Sequence, residues 1–104
     1  MSADTLEKLA ATIAARAGGD TSASYTAKLL SAGIEKCAKK FGEEAVELAM
    51  AAVQKDKRHI TAEAADVLYH LLVVLQAADV PLTDVFSELQ RREAEAQAQA
   101  EAIR

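Results

Sequence analysis

Two long segments of this chain repeat apolar residues at the spacing of an α-helix. The first runs from residue 34 to about residue 55, and the second from residue 60 or 61 to residue 78. Apolar side chains recur there at intervals of three and four, so they line one side of each helix. Only a short polar corner separates the segments, and helices joined by a tight turn pack antiparallel. The pattern therefore predicts a helical hairpin at the centre of the fold.

Weaker signals elsewhere in the chain complete an all-α prediction. Further helices are expected over residues 4–17, from residue 24 or 25 to residue 32, and from residue 82 onward. The tail over residues 93–104 is rich in helix formers but has almost nothing to bury, so we expect it to fray or to protrude. No strand-like alternation is evident. We predict one domain over residues 1–104, folded as a four- to five-helix bundle.

A second apolar strip on the first long helix predicts a dimer. Val46, Met50 and Val53 lie on a different side of that helix from its main apolar stripe. A helix that is apolar on two sides usually has two neighbours, and in a chain of 104 residues another subunit can supply the second.

Composition excludes several classes of protein. The net charge of −4 argues against nonspecific nucleic-acid binding. Cys37 is the only cysteine, which excludes an intrachain disulfide and a cysteine-based zinc site, and we expect it to be a small buried residue. No uninterrupted apolar run reaches about 18 residues, and no signal peptide is evident. We therefore expect a cytoplasmic protein without a membrane span.

Four carboxylates in two E-x-x-[ED] pairs suggest a metal site. Glu44 and Glu47 lie on the first long helix, and Glu63 and Asp66 lie on the second. Residues three apart on a helix are separated by about 60° around its axis, and both pairs border an apolar stripe. Two carboxylates about 5 Å apart repel by roughly 3 kcal/mol at an effective dielectric constant near 20. All-oxygen donors favour Mg²⁺, with Mn²⁺ as a substitute.

The four carboxylates also allow a structural role or a different metal. Acidic residues on helices are often solvated or paired with lysines one turn away, as Lys40 and Glu44 could be. In that case the chain would be a non-catalytic helical dimerisation module. A di-iron site normally needs Glu-x-x-His on two helices, and no glutamate here is followed three residues later by histidine.

The acidic motifs also resemble those of a known superfamily. Glu43-Glu44-x-x-Glu47, followed after fifteen residues by Glu63-x-x-Asp66, resembles the signature of the MazG-like, all-α nucleoside triphosphate pyrophosphohydrolases. The flanking sequences narrow the resemblance to the phosphoribosyl-ATP pyrophosphatase family over roughly residues 4–92: they read SYTAKLL from Ser24, KKFGEEAVE from Lys39 and EAADVLYHLLV from Glu63.

This resemblance implies an activity, a cofactor and an assembly. The family hydrolyses phosphoribosyl-ATP to phosphoribosyl-AMP and pyrophosphate, the second step of histidine biosynthesis, and its members are helical homodimers. Carried over to this sequence, it places Mg²⁺ on Glu44, Glu47, Glu63 and Asp66. The nearest alternative is a MazG-like enzyme that acts on other nucleoside or deoxynucleoside triphosphates.

Further residues around the acidic motifs are candidates for catalysis or substrate binding. Glu43 or Glu47 could accept a proton from the attacking water. Lysines can neutralise phosphate oxygens as point charges, and a tyrosine could shape a nucleotide pocket; these substrate-binding candidates are Tyr25, Lys28, Lys36, Lys39 and Lys40. The roles of His70, Arg91 and Arg92 stay open, and we expect His59 to be merely exposed.

Overall fold

Helices account for all the regular secondary structure of the described part of the chain. The computed structural model describes residues 2–103, and there it contains five helices and no strand. They are α1 (Ser2–Arg16), α2 (Tyr25–Ala32), α3 (Ile34–Gln54), α4 (Lys57–Ala77) and α5 (Leu82–Ile103). The all-α prediction is confirmed, and each expected helix is present.

The two breaks around α3 are made by residues in left-handed backbone conformations. Gly33 joins α2 to α3 at φ 98°, a conformation that a residue without a Cβ adopts easily. Lys55 ends α3 at φ 64°, and its N–H donates to the carbonyls of Ala51 and Ala52 at 3.2 and 3.1 Å. These bonds satisfy carbonyls that the helix end would leave unpaired. The chain can therefore reverse direction between α3 and α4 within two residues.

Asp56 starts α4 earlier than the sequence pattern predicts. Its carboxylate accepts hydrogen bonds from the backbone N–H groups of Arg58 and His59, at 3.2 and 3.4 Å. This cap lets the helix begin at Lys57 rather than at residue 60 or 61. The prediction was wrong because the first three helical residues, Lys57, Arg58 and His59, are polar. As a result, His59 lies inside the helix, one turn before Glu63.

The core forms where α1, α2 and α3 surround α4. The most extensive helix-to-helix contact is between α3 and α4. The buried apolar cluster comprises Ile13, Leu29, Cys37, Leu72 and Val73. On α4, Leu72 and Val73 are buried, whereas Leu68 is 43% exposed. Because α4 is apolar most of the way round, its neighbours rather than its own period select the buried side.

Cys37 is a core residue, as predicted. Its thiol is fully buried and donates a hydrogen bond to the Leu29 carbonyl at 3.3 Å. Burial raises the pKa of the thiol, because the charged thiolate would lose its solvation. The residue therefore ties α2 to α3 and is unsuited to act as a nucleophile.

The fifth helix stands largely apart from the other four. None of its residues is buried, and its contacts with α1–α4 are sparse. It continues without a break through the tail to Ile103, and every side chain from Leu89 to that residue is exposed. Its separation fits the elongated shape of the chain, which measures 58 by 34 by 27 Å.

One helix of the described chain, α4, is long and apolar enough to cross a membrane by length and composition. The sequence analysis did not predict a membrane span here because Glu63 and Asp66 interrupt the apolar run of this helix. A core helix of a bundle meets the same criterion, and α4 contacts three other helices here. Its length and composition therefore do not by themselves indicate a membrane span.

Candidate functional site

Three of the four predicted carboxylates converge on the α3–α4 hairpin. Glu44 of α3 and Glu63 and Asp66 of α4 each offer one carboxylate oxygen, and these oxygens lie within 4.8 Å of one another. The antiparallel hairpin produces this arrangement, because it brings the acidic edge of each helix to the same level. We call these three residues the acidic trio. Glu44 and Glu63 are partly buried, and Asp66 is exposed.

Within the acidic trio, the ionised form of Glu44 is disfavoured by its surroundings. Burial raises the pKa of Glu44, and the negative charges of Glu47, Asp66 and Glu63 raise it further. The Lys40 ammonium, 4.0 Å from Glu44, acts in the opposite direction without cancelling these effects. A divalent cation between the carboxylates would remove the repulsion.

Glu63 has one carboxylate oxygen held and the other free. Oε2 accepts a hydrogen bond from Nε2 of His59 at 3.2 Å. Oε1 is buried and has no hydrogen-bond partner among the described residues. A buried carboxylate oxygen without a partner is unfavourable unless a ligand occupies its lone pairs. The trio therefore fits a hard, oxygen-seeking cation such as Mg²⁺ or Mn²⁺.

The fourth predicted ligand, Glu47, and the predicted proton acceptor Glu43 lie outside the trio. Glu47 is exposed, and its oxygens are not part of the convergent set, although its charge contributes to the raised pKa of Glu44. Glu43 is also exposed and forms an ion pair with Lys40, at 3.3 Å. Both residues lie on α3 at the rim of the acidic cluster.

A cleft of about 250 Å³ lies on the α2–α3 side of the molecule. It is lined by Tyr25, Lys28, Leu29, Ala32, Lys36 and Lys40. Four of the five predicted substrate-binding residues are thus brought together, whereas Lys39 is exposed and does not line the cleft.

Lys40 connects the two parts of the site, since it lines the cleft and pairs with Glu43 and Glu44. The contact with Glu43 raises the pKa of Lys40, so the ammonium is kept charged.

An aromatic group joins the cleft to the core. The rings of Tyr25 and Tyr69 are stacked with centroids 6.5 Å apart, and the His70 ring meets each of them edge-on. The Tyr69 hydroxyl is hydrogen-bonded to that of Thr26, which fixes α2 against α4. Tyr25 stays 53% exposed, so its ring is available to a ligand in the cleft.

His70 is a buried, neutral residue at this aromatic group. It is only 5% exposed, and its Nδ1 has no hydrogen-bond partner among the residues described. Burial lowers its pKa, with a further contribution from the Lys40 charge, while Asp66 opposes the shift. Charges from both parts of the site, Lys40 of the cleft and Asp66 of the acidic trio, therefore act on His70.

The two arginines of α5 are engaged on their own helix. Arg91 donates to Glu88 and Glu95 at distances down to 2.7 Å, and Arg92 donates to Glu88 at 3.0 Å. These residues are exposed and do not line the cleft. Nothing within residues 2–103 of one chain brings them to the site.

His59 is the site residue that sequence reasoning missed. Placing the start of α4 too late left His59 in a connecting corner, where an exposed histidine carries no functional signal. The available signal was Asp56 as a helix cap, which puts His59 four residues before Glu63 on a continuous helix.

The fold and the site together indicate the class of protein to which this chain belongs. An all-α bundle that carries an acidic trio beside a lysine-lined cleft has the features of the all-α pyrophosphohydrolases, which the motifs resemble. Comparison with known proteins narrows the class. A family model described as phosphoribosyl-ATP pyrophosphohydrolase matches residues 6–93. The chain belongs to this family, and thereby to the hydrolases that act on phosphoric anhydrides.

Individual relatives agree with the family assignment. The chain is 61% identical over 88 residues to a phosphoribosyl-ATP pyrophosphatase of Cereibacter sphaeroides, covering 85% of each protein. It is 62% identical over 88 residues to the enzyme of that name from Dinoroseobacter shibae, covering 85% of this chain and 86% of the relative. The phosphoribosyl-ATP pyrophosphatase of Methylobacterium radiotolerans is 61% identical over 95 residues, or 91% of this chain and 89% of the relative.

Proposed function

We propose that this protein hydrolyses phosphoribosyl-ATP to phosphoribosyl-AMP and pyrophosphate in histidine biosynthesis, with a requirement for Mg²⁺. The observation that carries the proposal is the acidic trio beside a lysine-lined cleft, in a chain that belongs to the phosphoribosyl-ATP pyrophosphohydrolase family. A triphosphate bound in the cleft would place its anhydride oxygens next to the carboxylates. Mn²⁺ would substitute for Mg²⁺, because both are hard cations that accept all-oxygen ligands.

The carboxylates of the hairpin would hold the cation. Glu44, Glu63 and Asp66 supply convergent oxygens. Glu47 would add a fourth ligand, as the family resemblance implies. Bound Mg²⁺ supplies electrostatic stabilisation of the charge that develops on phosphate oxygens during hydrolysis. Burial of Glu44 and Glu63 excludes part of the competing water and so strengthens this interaction.

The lysines and Tyr25 would bind and orient the nucleotide. Lys28, Lys36 and Lys40 place three ammonium groups around the cleft, where each can contact phosphate as a point charge. Lys39 would act only from outside the cleft. The exposed ring of Tyr25 offers a flat apolar surface for the substrate's ribose or base.

A carboxylate at the rim of the trio would accept the proton of the attacking water. Glu43 and Glu47 are the candidates, and their surroundings differ. Lys40 holds the Glu43 carboxylate at 3.3 Å, whereas Glu47 is exposed beside the trio. If the acidic trio alone holds the cation, the exposed carboxylate of Glu47 is the favoured proton acceptor.

A pyrophosphate-release assay tests the proposed function. We expect turnover of phosphoribosyl-ATP with Mg²⁺ or Mn²⁺, and none after exhaustive chelation with EDTA. Activity that survives chelation would contradict the metal assignment. Faster turnover of dCTP, dUTP or ATP than of phosphoribosyl-ATP would instead identify a MazG-like enzyme with another substrate.

We also propose that the protein works as a cytoplasmic homodimer. The apolar strip on α3 stays exposed in the single chain, with Val46 at 59%, Met50 at 58% and Val53 at 79%. On α4, Leu68 is 43% exposed as well. Large apolar side chains in such a strip are normally covered by a partner. Sedimentation analysis should give twice the chain mass, and Met50→Glu should shift it toward the mass of one chain.

A further inference from the structure

The side chain of His59 is placed to control the orientation of Glu63. His59 lies in the first turn of α4, and Glu63 lies one turn later on the same side of the helix. The distance between His59 Nε2 and Glu63 Oε2 is 3.2 Å, which is a hydrogen bond. An ionised carboxylate has only acceptors, so Nε2 of the imidazole is the donor.

This hydrogen bond leaves the two oxygens of Glu63 in different states. Oε2 is occupied by His59, while Oε1 is buried without a partner in the described part of the chain. Since the Glu63 side chain is only 13% exposed, water has little access to it. One oxygen is hydrogen-bonded to His59, and the other is left to bind a ligand.

The backbone of His59 is anchored as well. Its N–H donates to the Asp56 carboxylate at 3.4 Å, as part of the cap that starts α4. The cap fixes the first helical turn, and the imidazole then reaches the next turn. Two successive contacts therefore connect the α3–α4 corner to the acidic trio.

We propose that His59 is a positioning residue that orients Glu63 for binding the divalent cation. The inference rests on the proposed function, because it requires the acidic trio to bind a metal ion. Carboxylates that ligate metals are commonly held by an outer hydrogen bond, and loss of such a partner lowers metal affinity about 10- to 100-fold. His59 is 47% exposed, so the effect should fall near the lower limit of that range.

Direct Mn²⁺ binding to the full chain, measured by electron paramagnetic resonance without substrate, tests the inference. We expect His59→Leu to weaken Mn²⁺ binding about tenfold. His59→Gln should recover most of the affinity, since a carboxamide N–H can replace the imidazole donor. At saturating Mn²⁺, His59→Leu should keep the kcat of the parent chain. The matched control is Arg58→Leu, which alters the same exposed turn without removing the contact to Glu63.

The outcomes separate the inference from the function on which it rests. A parent chain that binds no Mn²⁺ would overturn the inference, while pyrophosphate release would still test the proposed hydrolysis on its own. A parent chain that binds Mn²⁺, with His59→Leu binding it equally tightly, would overturn the inference alone. A lower kcat at saturating Mn²⁺, with unchanged Mn²⁺ affinity, would also overturn it, because His59 would then act on the reaction step and not on cation binding. Circular dichroism of each variant confirms that it is folded.

Discussion

The α3–α4 hairpin and the α5 helix both carry glutamates at helical spacing, but the two regions place them in opposite surroundings. In the hairpin, burial and neighbouring carboxylates raise the pKa of Glu44. In α5, hydrogen bonds from Arg91 and Arg92 lower the pKa of Glu88 to about 2. The difference lies in the available cations. Arginines on the same helix satisfy Glu88, whereas the acidic trio lacks enough positive charge among the described residues and so fits a metal ion.

Removing a carboxylate from the trio should have the largest effect. We expect Glu44→Gln or Asp66→Asn to lower kcat for pyrophosphate release on the order of 10³-fold, because the bound ion is expected to contribute several kcal/mol. Metal-free Glu44→Gln should also unfold at a higher temperature than the parent chain at neutral pH, since the ionised Glu44 is disfavoured in the fold. Glu95→Gln in α5 is the control and should keep full activity. Full activity in both trio variants would remove the distinction between the two regions.

The lysines of the cleft should have the next largest effect. Lys36→Ala should raise KM for phosphoribosyl-ATP about tenfold, equivalent to the loss of roughly 1.4 kcal/mol from one charged contact. Lys39→Ala should raise KM less, because Lys39 does not line the cleft. Steady-state kinetics at fixed Mg²⁺ compares the two variants. A larger effect at Lys39 would show that the substrate follows a different path across α3.

The dependence of stability on pH should reflect the titration of the buried His70 imidazole. Burial and the Lys40 charge lower the pKa of His70 from its usual 6.5, while Asp66 partly opposes the shift. The fold therefore favours the neutral imidazole, so stability is complete above pH 6.5 and falls as the pH drops through the folded-state pKa. Thermal unfolding in EDTA should show this loss, and His70→Gln should reduce it. An unchanged slope in the variant would assign the effect to another group.

The smallest effect is expected at the arginine-paired glutamate of α5. Because the pKa of Glu88 is lowered to about 2, its contribution is present above pH 4.5 and is lost as the pH falls toward 2. Circular dichroism between these limits should show a slight loss of helicity in the parent chain and a smaller change in Glu88→Gln. Activity at neutral pH should be the same in both. A marked loss of activity would mean that this part of α5 reaches the site, as it could across a dimer.

Much of the fold could be predicted because its signals are local. The apolar period of α3 and α4 and the lack of apolar residues in the tail are each properties of a single helix. The start of α4 was predicted too late, since the cap at Asp56 precedes the first apolar residue. Because of this error in the predicted start of α4, the contact between His59 and Glu63 was not predicted.

The candidate site was predictable to the extent that it follows from helical spacing. Spacing alone placed Glu44 and Glu47 on one edge, and Glu63 and Asp66 on another. It could not show that the oxygens of Glu47 stand apart from the other three. The distance from the Glu47 oxygens to the other three carboxylates depends on side-chain orientation at the hairpin contact. The helical period carries no information about that orientation.

The amino-acid sequence by itself determined that the chain is helical, where its acidic edges lie and which family it belongs to. These properties depend on residue order within single helices and on motifs shared with relatives. Only the tertiary structure decided which side of α4 is buried, which carboxylates converge and which lysines surround the cleft. The reason is physical: burial, desolvation and repulsion between carboxylates depend on distances between helices, and packing alone sets those distances.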